Sequence, residues 1–408
     1  MGNFHSIDEG INALKKGEIL IVVDDEKREN EGDFLLAGEF ITPEKINFLS
    51  TVGKGLICAP ISSKIAKQFE LNYMVAANTS EHHTAFTVSI DAKEGTTTGI
   101  SASDRSKTIE VLCDEKAPAS SMLRPGHIFP LIAKEGGVLV RPGHTEASVD
   151  LMKIAGLKEV AVICEIIGED GSMLRGEALF DLAKKYDFKI ITILDLIHYK
   201  KQHENYVKKV DEVKLPTKYG EFTIDMFNSS VTSNDDMEKL PIVIRKGEIK
   251  RGNPLLVRVH SECFTGDILG SLRCDCGDQL QESLKLINEN ESGIVIYMRQ
   301  EGRGIGLINK LKAYKLQEQG LDTYEANLKL GFSPDARDYF FAYQILKYYG
   351  VHEIKLISNN PAKINELTSL GINVIERIDL KLGPNEHNYH YLLTKKEKFG
   401  HFINDFLN

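Results

Sequence analysis

Short apolar runs bounded by turn residues alternate with helically spaced segments along most of this chain, which restricts it to an α/β architecture. In the first half, Glu18–Val23, Gly137–Val140 and Glu159–Cys164 read as strands, while Val149–Ala155 and Ala178–Tyr186 carry helical spacing. Ser6-Ile7-Asp8-Glu9 is a capping box that opens a helix closed by Gly17. In the second half, strands are predicted at Glu221–Met226, Pro241–Arg245, Leu255–Val259, Ile294–Met298 and Glu353–Ser358. Helices are predicted near Ile305–Gln319, near Pro334–Tyr349 and from Pro361. No internal repeat of ~20–50 residues is visible, which argues against a solenoid. The expected fold class is therefore α/β, with mixed α+β sheets.

The alternation breaks once. Tyr199 to Lys218 is polar with little apolar periodicity, and Pro216 and Gly220 punctuate its end. This places a domain boundary here, giving two independent domains at 1–205 and 206–408. Each half of the 408-residue chain is long enough to bury its own core.

Lys and Arg number 50 against 59 Asp and Glu, a net charge of −9. That balance disfavours general nucleic-acid binding but leaves room for a local basic pocket around a phosphorylated metabolite. No stretch approaches the ~18 unbroken apolar residues of a membrane helix. No basic segment followed by an apolar core opens the chain, so a cytoplasmic protein is expected. Met1-Gly2-Asn3-Phe4-His5-Ser6 matches a loose myristoylation pattern, with which the helix cap at Ser6 competes. Cys58, Cys113 and Cys164 sit among apolar neighbours and read as buried thiols. Cys263, Cys274 and Cys276 fall within fourteen positions, which suits a metal site in a reducing compartment better than a disulfide framework.

Two segments of the first half carry chemistry. Asp24 to Asp33 follows a predicted strand and holds six acids in ten residues. Hard carboxylate oxygens at a strand's carboxyl end suit Mg²⁺, although charge runs are usually solvated loops. Arg141-Pro142-Gly143-His144-Thr145-Glu146 lies between a predicted strand and a helix. Free amides at that helix start favour a phosphate, and Arg141 adds a bidentate donor. His144 could ligate a metal or cap the turn. Arg124-Pro125-Gly126-His127 reads as a second such segment, and Glu165 ends a strand where a carboxylate could act as a base.

Those residues, with Thr84–Val88, Thr98–Arg105 and Arg124–Leu131, resemble 3,4-dihydroxy-2-butanone 4-phosphate synthase over roughly the first 200 positions. The resemblance implies conversion of ribulose 5-phosphate to the butanone phosphate plus formate, with Mg²⁺ or Mn²⁺ as cofactor. It implies that Glu29 and His144 hold the metal. Arg28, Glu29, Asp33, Arg141, Pro142, Gly143, His144, Thr145 and Glu165 would bind substrate, and His127 and Glu165 would be catalytic. Proton removal beside a carbonyl needs a positioned base and charge stabilisation on the sugar oxygens, which these residue types supply.

In the second half, Cys263, Cys274 and Cys276 give the spacing C-x₁₀-C-x-C, and three soft ligands favour Zn²⁺. The site is either open and catalytic, with water fourth, or closed and structural, with His260 fourth. Gly302-Arg303-Gly304-Ile305-Gly306 follows a predicted strand. A dinucleotide fingerprint fails because position 307 is Leu, although Asp322 lies where a ribose-binding acid would. A phosphate- or nucleotide-contacting loop with Glu301 and Arg303 as polar handles fits better. Ser333-Pro334 reads as a helix start with Asp335 in its first turn. Asn359-Asn360-Pro361-Ala362-Lys363 is a further candidate anion site.

From about residue 210 onward, Arg258–Cys263, Arg273–Gly277, Arg299–Leu307, Tyr324–Asn327 and Asn359–Pro361 resemble GTP cyclohydrolase II. The resemblance implies opening of the guanine imidazole ring of GTP, with release of formate and pyrophosphate. It implies Zn²⁺ on Cys263, Cys274 and Cys276. GTP would be bound by Arg258, Val259, His260, Ser261, Glu262, Gln279, Glu301, Gly302, Arg303, Thr323, Ser358 and Lys363. Asp335 would accept a proton, Arg337 would be the nucleophile and Tyr314 would assist. Ser358 stands where the family pattern has Thr, and the hydroxyl survives. A guanidinium has no free lone pair, so charge stabilisation suits Arg337 better than attack. Together the halves imply a bifunctional riboflavin-pathway enzyme, a homodimer acting on small molecules. The rivals are one active domain carrying a scaffold, or a zinc-stabilised nucleotide-binding regulator without catalysis.

Overall fold

The computed structural model describes residues 3–26, 28–231 and 240–403, so the Met1-Gly2 part of the acylation pattern lies outside the described residues. The chain divides into two compact units, Met1–Lys200 and Lys201–Asn408.

The first unit runs α1 (Ile7–Lys15), β1 (Leu20–Val23), β2 (Gly32–Ala37), α2 (Pro43–Phe48), β3 (Cys58–Ile61), α3 (Ser63–Gln68) and β4 (Ile90–Ala92). It continues with α4 (Ala102–Leu112), β5 (Met122–Ile132), α5 (His144–Ala155), β6 (Ala161–Glu165), α6 (Glu177–Tyr186), β7 (Lys189–Thr192) and α7 (Ile193–His203), whose residues from Lys201 onward belong to the second unit. The expected capping box starts α1: Ser6 Oγ accepts from Glu9 N at 3.3 Å, and the Glu9 carboxylate accepts from Ser6 N at 2.9 Å. Seven strands form one sheet in the order β4-β5-β3-β6-β2-β1-β7. Alternation along each strand separates the two faces. Ile21, Phe34, Val162 and Ile128 pack with α2, α4 and α6, whereas Val22, Leu35, Ile163 and Leu131 pack with α1 and α5. Cys58, Cys113 and Cys164 are buried free thiols, as expected.

The second unit runs β8 (Val207–Thr217), β9 (Gly220–Ser229), β10 (Ile242–Lys246), β11 (Leu255–Ser261), α8 (Cys276–Asn288), β12 (Gly293–Met298) and α9 (Gly306–Gln317). Then follow α10 (Thr323–Lys329), α11 (Phe340–Tyr348), β13 (Glu353–Ile357), α12 (Pro361–Ser369), β14 (Asn373–Ile378) and α13 (Tyr389–Phe399). The sheet order is β14-β13-β11-β12-β10-β9-β8. β14, β13, β11 and β12 are parallel, and the other pairings are antiparallel. From β11 the chain moves to β12 on one side and later returns to β13 on the other. That reversal leaves a crevice at the carboxyl ends of these strands.

Four local expectations are corrected. Residues 137–140 form a tight turn with Gly136 and Gly137 at positive φ, not a strand. Val138 N donates to Asp150 Oδ2 at 2.8 Å, and a Cβ on Gly137 would lie 2.1 Å from that oxygen, so the turn is moulded onto α5. Arg124–His127 lies inside β5 rather than at a helix start. The segment from Pro334 is not helical until Phe340, because Ala336 N donates to Arg303 O at 3.1 Å across the glycine loop. The polar segment before Pro216 is no linker: β8 is an 11-residue edge strand paired with β9. An edge strand exposed on both faces has no apolar alternation, and its lysines are the usual guard against edge pairing.

Residues 201–206 dock on α11. Gln344 Nε2 donates to Lys201 O and Glu204 O, Lys347 Nζ to Gln202 O and Glu204 O, and Tyr206 N to Gln344 Oε1. A fragment 201–408 is therefore expected to be more stable than 206–408. Losing a few hydrogen bonds of about 1 kcal/mol each lowers the melting temperature by roughly 5–10 °C at this size. Equal melting temperatures for the two fragments would show the docking to be energetically idle.

Candidate active sites

The first site gathers where β1 ends and α5 begins. Asp24 follows β1, Arg28 and Glu29 lie in the β1–β2 connection, and His144 is the first residue of α5. Asp24, Glu29 and His144 each place a ligand atom within 4.8 Å of the others. His144 Nδ1 lies 3.7 Å from Glu29 Oε2 and 3.9 Å from Asp33 Oδ2. Arg28 Nη1 bridges Asp24 and Glu29, at 2.8 Å from each. Asp24 also accepts from Glu29 N and Glu31 N, so it organises the acidic loop from below. Within the acidic run Asp24, Glu29 and Asp33 are thus drawn into the site, while Asp25 and Glu26 stay exposed.

Electrostatics follow from burial. Asp33 is buried at the start of β2, and burial pushes its carboxyl up to about 7 against the pull of His144. The hydrogen bond with His144, aided by Arg28, holds Glu29 down at about 2. Burial opposes charge on His144, but Asp33, Glu29 and Asp24 outweigh it and raise its pKa to about 9. Imidazole and carboxylates therefore form one charge-balanced cluster, a donor set that fits a divalent cation.

Strand register arranges the remaining groups. Asp33 pairs with Glu165 across β2 and β6, and Leu56 N donates to Glu165 Oε2 at 2.8 Å. His127 precedes Phe129, which pairs with Cys58, which pairs with Ile163 two residues before Glu165. His127, Glu165 and Asp33 therefore share one face and one end of the sheet. At one strand spacing per step, His127 stands two strands, about 10 Å, from Glu165. Its partner is Asp91, whose Oδ2 lies 2.8 Å from His127 Nδ1. Among the described residues no contact joins His127 to Glu29 or His144.

Arg141 uses four of its five N–H donors on its own chain. It donates to Glu146 Oε2 at 2.6 Å, to His82 O at 3.0 and 3.1 Å, and to Thr84 Oγ1 at 2.9 Å. It thereby ties the 82–84 loop to the start of α5, where Gly143 is the N-cap and His144 and Thr145 are buried. Asp24 and His82, whose Nε2 is 3.8 Å from Glu29 Oε1, were not singled out from the sequence. Asp24 closes a strand and was legible, whereas His82 reaches the site only through the fold.

The second site fills the crevice beyond β11, β12 and β13. Cys263 follows β11, and Cys274 and Cys276 lead into α8. Their three sulfurs lie within 4.8 Å of one another, with Cys263 and Cys274 3.7 Å apart. Gly266 permits the wrap: a Cβ there would be 2.9 Å from Cys274 Sγ and 3.1 Å from Cys263 Sγ. Lys310 Nζ reaches Cys263 Sγ at 3.1 Å and Glu301 Oε1 at 2.8 Å. Hydrogen bonds from the other two thiols, with help from Lys310, pull the Cys263 thiol down, while Cys274 and Cys276 are pushed up. One thiolate forms readily and a metal would be needed to stabilise all three.

His260 is not part of the sulfur cluster. Its Nε2 lies 3.1 Å from both Asp267 oxygens, and burial pushes its pKa down. Among the described residues the ligand set is three cysteines.

Cations line the rest of the cavity: Arg258, Arg273, Arg303, Arg337, Lys363 and Lys395. Arg258 donates to Gln279 Oε1 at 2.6 Å and to Ile357 O at 2.9 Å, and burial lowers its pKa to about 10. Lys363 Nζ donates to Val259 O at 2.6 Å, and burial, then Arg258 and Arg337, push it well down. Buried Arg258 Nε and Arg303 Nη1 find no hydrogen-bond partner among the described residues. An acidic chain has thus concentrated cations in one cavity: Arg273, Arg337 and Lys395 are paired to Glu318, Asp335 and Asp275, while Arg258 and Arg303 keep unpartnered N–H groups for a highly charged anion. Tyr314, Thr323, Ser358, Ser261, Glu262, Gly302 and Gln279 also line it. Val259 is buried in the core and meets the site through its carbonyl, and Asp335 sits behind Arg337, accepting its Nε at 2.8 Å. Asp322 caps α10 in a capping box with Glu325, which removes its ribose-binding reading.

Comparison with known proteins assigns each unit to a family. The family model of 3,4-dihydroxy-2-butanone 4-phosphate synthase matches residues 8–199, and that of GTP cyclohydrolase II matches 208–379. The riboflavin biosynthesis protein RibBA of Bacillus mycoides is 53% identical over 401 residues, covering 98% of this chain and all of that protein. RibBA of Bacillus cytotoxicus is 52% identical over the same span. Among solved structures, RibBX of A. baumannii, described as a two-domain 3,4-dihydroxy-2-butanone 4-phosphate synthase, superposes with TM-score 0.66 at 32% identity. That match covers 93% of this chain and all of RibBX. Both matched families are metal-dependent enzymes acting on small molecules. No helix among the described residues is long and apolar enough to cross a membrane. The chain belongs to the RibBA family: it is a bifunctional enzyme of riboflavin biosynthesis, a 3,4-dihydroxy-2-butanone 4-phosphate synthase followed by a GTP cyclohydrolase II.

Proposed function

We infer that the first site acts on ribulose 5-phosphate with Glu29 and His144 holding Mg²⁺ or Mn²⁺, and that the second acts on GTP with Cys263, Cys274 and Cys276 holding Zn²⁺. The observation that carries this is the contrast of donor sets: hard oxygens with imidazole in one unit, soft sulfurs under a cationic cavity in the other. Bound there, the hard cation would stabilise enediolate charge and the zinc would supply an activated water.

In the first site, the amides of His144 and Thr145 at the start of α5 take the phosphate, the Gly143 amide being held by Arg141 O at 2.8 Å. Arg141, spent on Glu146 and the 82–84 loop, shapes that turn rather than forking the phosphate itself. Arg28 holds the metal-binding carboxylates in place. Glu165 takes the proton beside the carbonyl, and Asp33, ionising near neutrality, holds or returns a proton on a sugar hydroxyl. His127 acts from the neighbouring strands with its ring fixed by Asp91.

In the second site, Arg258, Arg303, Arg337 and Lys363 neutralise the triphosphate. Arg337 serves as an electrostatic clamp: its ion pair with Asp335 holds it more firmly protonated than usual, which is unsuited to attack. Tyr314, 3.2 Å from Thr265 beside the sulfurs, orients groups at the metal end. Glu301 accepts from Phe264 N, Gly302 N and Lys310, and so joins the glycine loop to the metal segment.

Zinc held by the three cysteines would leave a position open for water. His260→Ala is expected to keep one zinc per chain and to impair GTP handling through Asp267. Complete zinc loss with a collapsed second unit, seen by metal analysis and circular dichroism, would make the site structural instead.

A second reading, one active unit carrying a scaffold, is favoured by RibBX being described by one activity although it matches both units. Formate release from ribulose 5-phosphate and from GTP, assayed separately on the whole chain, decides. Release from both supports two active sites, and release from one alone supports the scaffold. We place the protein in the cytoplasm as a homodimer, which sedimentation analysis tests.

A further inference from the structure

The GTP cyclohydrolase II match ends at residue 379, yet α13 and the turn after it enter the cavity wall with Tyr391, Lys395 and His401. Lys395 is buried and its ammonium donates to Asp275, the residue between Cys274 and Cys276. Asp275 also accepts from Gln279 Nε2 at 2.6 Å, and Gln279 Oε1 accepts from Arg258 Nη2 at 2.6 Å. One chain of polar contacts therefore runs from α13 through the metal segment to a buried arginine of the cavity. Further along α13, the Phe399 ring carries the Arg303 guanidinium at 4.0 Å. Arg303 needs such support: its backbone is left-handed at φ 61° and its buried Nη1 has no partner among the described residues. The helix is itself anchored, with Lys398 paired to Asp322 and Glu325 on α10 and Phe399 against Tyr324 at 5.8 Å.

We infer that α13 is part of the nucleotide site, with Lys395 positioning the Cys274–Cys276 segment and Arg258, and Phe399 fixing Arg303 against the phosphates. This rests on the cavity being the GTP site. A buried lysine paired to a carboxylate sets where that carboxylate and its neighbours stand. An aromatic face removes rotational freedom from a guanidinium without consuming its N–H donors, leaving them for an anion. Arg303 then meets the triphosphate already oriented.

Three variants of the full chain test this. Lys395→Met is expected to keep zinc yet lower kcat for GTP about 10- to 100-fold, as loss of a charged hydrogen bond predicts, with Lys395→Arg recovering part of it. Phe399→Leu, which keeps the apolar volume and removes the π face, is expected to raise KM for GTP about 3- to 30-fold with kcat little changed. Phe399→Tyr should restore KM, which a packing role alone would not require. Bound zinc and the melting curve of the second unit report on its integrity in each preparation. Phe399→Leu with unchanged KM overturns the inference, whether or not Lys395→Met folds. Folded, zinc-loaded Lys395→Met with unchanged kcat removes Lys395 from it. A wild-type chain that neither binds nor turns over GTP would fail the underlying site assignment instead.

Discussion

Cys274→Ser is expected to strip zinc from the second site and abolish GTP ring opening, while formate release from ribulose 5-phosphate continues. Serine offers a hard, barely acidic oxygen where the cluster needs a thiolate, so two sulfurs remain to hold a soft cation. The metal's Lewis-acid contribution is several kcal/mol, so its loss costs at least about 10³-fold in rate. Lys310 adds a second consequence. Its ammonium touches Cys263 Sγ and Glu301, and with the metal gone it becomes the main counter-charge for the remaining thiolate. The unit should therefore stay folded with reduced thermal stability rather than unfold. Metal analysis, the two formate assays and a melting curve together check the result. Full GTP turnover in a zinc-free variant would remove the metal from the mechanism.

Glu29→Gln and His144→Ala form the reciprocal experiment. Each is expected to lower butanone phosphate synthesis by about 10²- to 10⁴-fold, since loss of a direct ligand exceeds the 10- to 100-fold seen for outer-shell partners. GTP turnover should be untouched. The two variants differ in what they leave behind. Glu29→Gln releases Arg28 from one of its two carboxylates but keeps Asp24. His144→Ala leaves buried Asp33 without its cationic neighbour, and burial then favours the protonated acid more strongly. Excess Mn²⁺ is expected to rescue Glu29→Gln in part, because Asp24 stays within reach, and His144→Ala hardly at all. Near-normal synthesis by either variant would remove these residues from the metal site.

Sequence legibility varied with how local the cause was. Strands β1, β6, β11 and β12 were readable because burial on both faces demands unbroken apolar runs, whereas the equally buried β2 and β3 beside β6 carried no boundary signal that was read. The edge strand β8 was unreadable for the converse reason: Val210, Val213 and Leu215 are exposed, and its hydrogen bonds come from β9 rather than from any pattern of its own. The Ser333-Pro334 start misled because Pro and Ser obey helix-cap statistics, while Ala336 N was captured by Arg303 O in a loop thirty positions earlier.

By itself the sequence determined the chemistry. C-x₁₀-C-x-C pointed to soft metal ligation and the acids after β1 to hard ligation, and the family motifs set both activities, because residue type and short spacing are local properties. Only the tertiary structure decided which groups meet. It turned His260 toward Asp267 and away from the sulfurs, spent Arg141 on the 82–84 loop, separated His127 from Glu29, and brought Lys395 from α13 onto Asp275. Those choices depend on loop folding, strand register and helix docking, over separations from 7 residues for His260–Asp267 to 120 for Asp275–Lys395, and no local pattern encodes which side chains then meet.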